Sequence, residues 1–255
     1  MRQFGLIGYP LSHSFSQGFF AKKFLNENIK DVHYANFPIA SISDFNALWQ
    51  KQDLEGLNVT IPYKKEVIPF IQYPSSVVQK INACNCIRKF NNELYGYNTD
   101  VIGFEKSLLP LLKSHHTQAL ILGTGGAAAA VEFVLQKLGI AYHLVSRSRK
   151  ENASIFNAPV IQYSDLNIDT IHQHTLIINT SPIGMYPSVT EAPAIAYEGI
   201  GTHHYLYDLV YNPAETLFLS KGKEKGAAVK NGLDMLHIQA EESWLIWNAS
   251  KPIQQ

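Results

Sequence analysis

The sequence predicts an α/β protein, and three observations carry that prediction. Short apolar runs alternate with helix-like segments from end to end, the pattern of a parallel α/β chain. Hydrophobic residues make up 46% and charged residues 16%, enough apolar material for ordinary globular cores and too much for a disordered chain. At 255 residues, against roughly 100–200 per domain, the length suits one large domain or two modest ones.

Taken in order, residues 4–8 read as a first strand and 15–28 as a helix, followed by a strand at 33–37 and a helix at 42–50. Residues 56–61 make a third strand. Residues 62–71 follow as a helix with Pro62 in its first turn, where a missing N–H costs little. These elements form a βα series over about the first hundred residues. A polar stretch at 113–118 then leads into Ala119-Leu120-Ile121-Leu122-Gly123, a buried-strand run that opens a second domain. Its helix spans 126–138, its second strand 141–145, and later strands fall at 176–179 and 205–209. From Gly232 the sequence turns helical and amphipathic, with Met235, Ile238, Glu242 and Leu245 at helical spacing.

The balance of 21 Lys+Arg against 21 Asp+Glu leaves no net charge, which argues against an electrostatic nucleic-acid binder. No block of like charge marks a membrane patch, and no run approaches the roughly 18–20 apolar residues that a spanning helix needs. The opening Met1-Arg2-Gln3-Phe4-Gly5-Leu6-Ile7-Gly8 reaches a glycine turn before an export signal develops. A soluble, cytoplasmic protein with a small-molecule partner is expected, without nucleic acid or membrane. Cys84 and Cys86 are poorly spaced for a relaxed disulfide and are expected as core thiols sharing one strand face. The pairs His115-His116 and His203-His204 lack Cys or Glu at ligand spacing, so no metal site is expected. Trp244, Trp247 and the aromatic residues of 15–24 are expected in the core.

The sharpest local signal is Gly123-Thr124-Gly125-Gly126-Ala127-Ala128, a dinucleotide-binding pattern with Ala in the third glycine position. A strand precedes it and a helix follows, so the glycines allow close approach of a pyrophosphate to the N–H groups of a helix start. About 20 residues on, where an NAD site places an acid, this chain has Ser146-Arg147-Ser148-Arg149-Lys150. Cations and hydroxyls there suit a 2′-phosphate, which favours NADP over NAD. The first hundred residues hold a different constellation: Ser12-His13-Ser14, Asn58-Val59-Thr60-Ile61-Pro62-Tyr63-Lys64, Asn85, and Asn98-Thr99-Asp100. Hydroxyls, amides, one ammonium and one carboxylate at strand ends suit a polyhydroxylated substrate, although each residue alone also reads as a cap or turn.

Taken together, from Leu6 to about Ala240, these motifs resemble the shikimate dehydrogenase family in kind and in order. The resemblance implies an N-terminal α/β substrate domain (1–100, completed by 235–255) and a Rossmann-type, doubly wound parallel-sheet NADP domain (101–234), with a cleft between. It implies that Ser12 and Ser14 hold the substrate carboxylate, that Lys64 is catalytic with Asp100 as its partner, and that Thr60, Asn85, Tyr211 and Gln239 contact substrate. For the cofactor it points to Gly123, Gly125, Gly126, Ala127, Ser146, Arg147 and Ser148. It adds Thr180 and Met185 in the loop Asn179-Thr180-Ser181-Pro182-Ile183-Gly184-Met185, and Gly232 at the entry to the final helix.

The implied reaction is NADPH-dependent, reversible reduction of 3-dehydroshikimate to shikimate, a step of aromatic amino-acid biosynthesis. Lys64 or Asp100 is then the formal proton acceptor, and the chain works as a monomer or a homodimer. Two departures from the family pattern stand out: Gln17-Gly18-Phe19-Phe20-Ala21 replaces the usual start of the first helix, and Cys86 stands where the family has a threonine. Two other readings remain: a quinate/shikimate dehydrogenase using NAD, opposed by the basic turn at 146–150, and a non-catalytic NADP sensor, opposed by Lys64 with Asp100.

Overall fold

The computed structural model describes residues 1–11, 15–50, 53–148 and 153–253. The chain divides into two units, one formed by Met1–Ile102 with Gln239–Gln255 and the other by Gly103–Ile238.

The first unit contains β1 (Arg2–Gly8), α1 (Phe15–Asn26), β2 (Val32–Pro38), α2 (Phe45–Leu48), β3 (Leu54–Val59), β4 (Tyr73–Pro74), α3 (Ser76–Ile81), β5 (Cys86–Phe90) and β6 (Glu93–Tyr97). Its strands lie in the order β2-β1-β3-β5-β6-β4. Strands β2, β1 and β3 run parallel, as a βα series demands, but β5 pairs antiparallel with both β3 and β6. The expectation of a parallel pattern from end to end therefore fails here. Its physical cause is a tight turn: Asn91 and Asn92 both take positive φ, 50° and 64°, and fold β5 back on β6 as a two-residue hairpin.

Residues 62–71 do not form the expected helix. They make a run of turns and a short 3-10 stretch, Ile68–Phe70. Pro69 falls in the interior of that span, where it removes an N–H donor and its ring opposes the carbonyl four residues back, and it is accommodated instead in the first turn of the 3-10 stretch. The helix expected at 42–50 is likewise reduced to a 3-10 turn, Ile42–Asp44, capped by Ser41, and the single turn of α2.

Alternation along β1 separates two cores. Ile7 packs with Phe45, Leu57, Val67, Cys84 and Ile87. Phe4 and Leu6 pack with Phe20, Tyr34, Cys86 and Trp247. Trp247 stacks on Phe4 at 4.7 Å between ring centroids, and its Nε1 donates to the Ile87 carbonyl at 3.0 Å. The two cysteines are thus buried core thiols, but not on one face: Cys84 precedes β5, its Sγ turned to donate to Cys86 O at 3.4 Å. Burial pushes the Cys84 thiol up to about 12 and raises Cys86 as well, so both stay protonated at neutral pH.

Helix α4 (Thr99–Leu108) leads out of the first unit. Then follow β7 (Gln118–Leu122), α5 (Gly126–Lys137), β8 (Ala141–Ser146), β9 (Val160–Gln162), α6 (Ile168–Gln173), β10 (Leu176–Asn179), β11 (Tyr205–Asp208), α7 (Leu217–Glu224), β12 (Ala228–Lys230) and α8 (Leu233–Asn248). Strands β7 to β12 pair in parallel in the order β12-β11-β10-β7-β8-β9. Two βαβ halves wound outward from β7 and β10 give this order, the doubly wound Rossmann arrangement. Strands β10 and β11 are buried along their whole length, which is why each reads as an apolar run up to the polar residue that ends it, Asn179 and Asp208. The sequence reverses direction across the sheet between β7 and β10, and the loops leaving their carboxyl ends diverge to open a crevice.

Candidate functional sites in the two units

In the first unit, Lys64 lies in the turns after β3 and Asp100 in the first turn of α4, where a carboxylate is favoured by the helix dipole. Asn98 caps that helix, its Oδ1 accepting from Val101 N at 3.2 Å while its Nδ2 donates to Ala83 O at 3.0 Å. The two ends meet: Lys64 Nζ donates to Asp100 Oδ2 at 2.6 Å, with side chains 27% and 19% exposed. The ammonium thereby keeps two further protons for other acceptors.

A buried polar network stands on the same elements. Asn85 Oδ1 accepts from Thr99 N at 2.7 Å and from Thr99 Oγ1 at 3.2 Å, so the group that Asn85 can offer outward is its Nδ2 donor. Thr99 Oγ1 also lies 3.4 Å from Gln239 Oε1 and 3.3 Å from Ser243 Oγ, both on α8. Asn58, within the Asn-Val-Thr motif, accepts from Tyr34 OH at 2.9 Å and donates to Ser243 Oγ at 2.8 Å and Asn85 O at 3.3 Å. Its amide is used up in holding strands and helix together. Thr60 ends the same segment, its N–H donating to Ile7 O, and its Cγ2 would meet a Cβ at Gly8 at 2.4 Å, so residue 8 has no room for a side chain. Ser12 and Ser14 lie outside the described residues.

Sequence reasoning passed over Tyr34 and Ser243. Tyr34 enters the network only through the pairing of β2, β1 and β3, which leaves no local mark. Ser243 had a usable signal: a small polar residue four positions after Gln239 on an otherwise apolar helix face.

In the second unit, one open cavity of about 370 Å³ gathers Gly123, Thr124 and Gly125 after β7, residues Val145 to Ser148 after β8, Tyr163, and Thr180 to Ile183 after β10. It therefore brings together the expected Gly123, Gly125, Ser146, Arg147, Ser148 and Thr180. Gly123 has φ of +121°, and a Cβ there would meet Thr180 Oγ1 at 2.8 Å, so this turn requires glycine. Gly125 and Gly126 have nothing within 4 Å of where a Cβ would sit, which leaves the start of α5 bare. No side chain caps that start, and the first N–H groups of α5, at Gly126 and Ala127, are available to an anion. Arg147 is exposed on the cavity lining after the neighbouring strand β8, with Ser146 Oγ accepting from Ser148 N at 3.4 Å. Bare backbone, an uncapped helix start and a guanidinium fit a dinucleotide bearing an extra phosphate.

Other expected residues lie off this cavity wall. Met185 and Tyr211 are 45% and 38% exposed, each in a loop following β10 or β11. Gly232 packs so closely that a Cβ would approach Leu209 O to 2.1 Å. Tyr163, at the start of a 3-10 turn after β9, was absent from the sequence expectations and carries no motif; burial raises its phenol, with the Arg147 charge pulling the other way. Among the described residues no group of three His, Cys, Asp or Glu side chains is arranged to hold a metal, and no helix is long and apolar enough to cross a membrane.

Comparison with known proteins gives concordant results. Residues 6–87 match the family model described as the shikimate dehydrogenase substrate binding domain. A shikimate dehydrogenase (NADP+) of Halothermothrix orenii is 35% identical, the match covering 97% of this chain and 91% of the relative. The crystal structure of shikimate dehydrogenase from Aquifex aeolicus superposes with a TM-score of 0.86 at 32% identity, over 99% of this chain and 94% of that one. A shikimate dehydrogenase solved in complex with NADP+ gives 0.86 at 29% identity, over 99% and 92%.

Proposed function

Because the chain belongs to the shikimate dehydrogenase family, we propose that it catalyses the reversible, NADPH-dependent reduction of 3-dehydroshikimate to shikimate. The observation that carries this reading is the pairing of Lys64 Nζ with Asp100 Oδ2 at 2.6 Å in the first unit. Gly123, Gly125, Ser146, Arg147, Ser148 and Thr180 would hold NADP, with the N–H groups of Gly126 and Ala127 facing its pyrophosphate. The bound nicotinamide supplies a hydride, and the protein's task is the accompanying proton.

Lys64 serves that task as an ammonium that donates to the ketone oxygen and stabilises the alkoxide charge developing on it. Asp100 holds Lys64 through one of its three N–H donors and has a second oxygen left to accept from a neighbouring substrate hydroxyl. Asn85, oriented by Thr99, offers an N–H donor to a hydroxyl oxygen, and Thr60 and Gln239 complete the polar lining. Ser12 and Ser14 are assigned the substrate carboxylate by the family motif, and Tyr211 a further substrate contact. Met185 and Gly232 are assigned to the nicotinamide end on the same ground. The first unit is then the substrate domain and the second the cofactor domain. A cytoplasmic location belongs to the same reading, which is supported by two buried, unpaired cysteines.

The test is oxidation of shikimate followed by the absorbance of the reduced nicotinamide, with NADP and NAD in parallel and quinate as competing substrate. Turnover with shikimate and NADP is the expected result. Comparable rates with quinate and NAD would move the protein to the dual-specificity branch, and tight NADP binding without turnover would make it a sensor.

A further inference from the structure

Asp208, the last residue of β11, is fully buried, and among the described residues no lysine or arginine pairs with it. An isolated carboxylate in such a place is costly, and this one is held by hydrogen bonds alone. Its Oδ1 accepts from Asn179 Nδ2 at 2.9 Å and from Val210 N at 3.0 Å, and its Oδ2 accepts from Thr216 Oγ1 at 2.6 Å.

The consequence runs through Asn179, the last residue of β10 and itself fully buried. Donation to Asp208 fixes which way the Asn179 amide points. Its second N–H then reaches Ile183 O at 3.3 Å, and its Oδ1 faces Ser181, accepting from the backbone N at 3.0 Å and from Oγ at 2.6 Å. Both donors and both lone pairs of the amide are thereby engaged. The residues so held, Ser181 to Ile183, form one wall of the cavity that faces the glycine turn. Thr180 ties the start of this segment to β7 through Oγ1 to Leu122 O at 3.1 Å, and beyond it the shape of 181–183 follows from the Asn179 amide, whose orientation follows from a negative charge.

We propose that Asp208 is a positioning residue for the cofactor site, its carboxylate locking Asn179 in the orientation that shapes the 181–183 wall. The proposal deepens the NADP reading above and rests on it. Protonation is the natural way to switch the lock off. A proton on Oδ1 would oppose the N–H groups of Asn179 and Val210, and a proton on Oδ2 would turn the Thr216 bond around, Oδ2–H donating to Oγ1; either removes the charge that makes Oδ1 a strong acceptor for Asn179. Burial raises the Asp208 carboxyl to about 6, against the pull of Thr216, Val210 and Asn179. The titratable groups that face it are the phenols of Tyr207 on β11 and Tyr197 in the 3-10 turn Tyr197–Gly199, both raised by burial and protonated throughout the acid range.

The experiment is titration calorimetry of NADP against the wild-type chain and Asp208→Asn from pH 8 to pH 5. Asparagine keeps the shape and one acceptor but carries no charge at any pH. The quantity read is the ratio of the two dissociation constants, in which titration of the cofactor's own phosphate cancels. The expected result is several-fold weaker binding by Asp208→Asn at pH 8, converging on wild type as the pH falls through about 6 to 5. A ratio independent of pH would overturn the proposal, because a merely structural role does not titrate. If Asp208→Asn fails to fold, Thr216→Val carries the test: removing the hydroxyl raises the carboxyl further, so its binding must fall at a higher pH than wild type, and an unshifted profile overturns the proposal. Absence of NADP binding by the wild type would instead overturn the cofactor reading itself.

Discussion

Arg147 illustrates how much one side chain at the end of β8 decides. It lines the cavity after β8, the strand beside the glycine turn, between Ser146 and Ser148, where a cofactor 2′-phosphate would need a cation and hydroxyls. A charge-assisted hydrogen bond of about 1.5–3 kcal/mol corresponds to roughly 10- to 100-fold in affinity. Arg147→Ala is therefore expected to raise KM for NADPH by that factor while leaving KM for NADH nearly unchanged, which parallel initial-rate kinetics would show. An equal loss with both cofactors would mean that Arg147 shapes the loop rather than reads the phosphate. The residues of this site were legible because each lies in a short motif at a strand end. Tyr34 and Tyr163 were not, because each acquires its role only from partners distant in the chain or from a cavity assembled by several loops, and Ser243 left only its spacing from Gln239 as a signal.

Elements show the same division. Two glycines expected at the cofactor site call for the same substitution and opposite outcomes. Gly125 has open space beside it and extended backbone, so Gly125→Ala should leave stability within about 0.5 kcal/mol while the new methyl weakens NADP binding. Gly232 abuts Leu209 O, so Gly232→Ala must push α8 from the exit of β11 and should cost about 1–3 kcal/mol. Urea denaturation together with NADP titration separates the two. In the doubly wound half β7, α5, β8, β10 and β11 were readable, since buried parallel strands are apolar runs with a glycine turn between strand and helix, whereas β9, α6, α7 and β12 are short, partly exposed elements that the sequence reading passed over. The helix expected at 62–71 failed because Pro69 in its interior outweighs its apolar spacing, and β5 with β6 was missed because its only signal is the pair Asn91-Asn92.

For the molecule as a whole, acid stability has an identifiable contributor outside the two sites. His116 is buried, its Nδ1 accepting from Lys113 N at 2.9 Å and its Nε2 lying 3.2 Å from His203 O, the pattern of a neutral ring that donates from Nε2. His204 repeats it, with Gly201 N donating to Nδ1 and Nε2 facing Ile171 O, so in both adjacent pairs the second histidine ties a turn to its neighbours. Burial, with the neighbouring His115, holds His116 down at about 4. An unfolded histidine gains its proton near pH 6.5, so between roughly pH 6.5 and 4 the unfolded chain binds more protons and stability falls as the pH falls. His116→Gln should flatten that part of the curve, and urea midpoints measured from pH 7.5 to pH 5 would show no difference in slope if His116 is not responsible.

The central claim is that Lys64, held by Asp100, handles the proton that accompanies hydride transfer. Its most direct test is kcat of Lys64→Ala for shikimate oxidation, with NADP affinity measured on the same preparation. Loss of a positioned acid–base group is expected to lower kcat by about 10²- to 10⁴-fold, with NADP binding unchanged. Turnover close to wild type in a folded, NADP-binding Lys64→Ala protein would contradict the account.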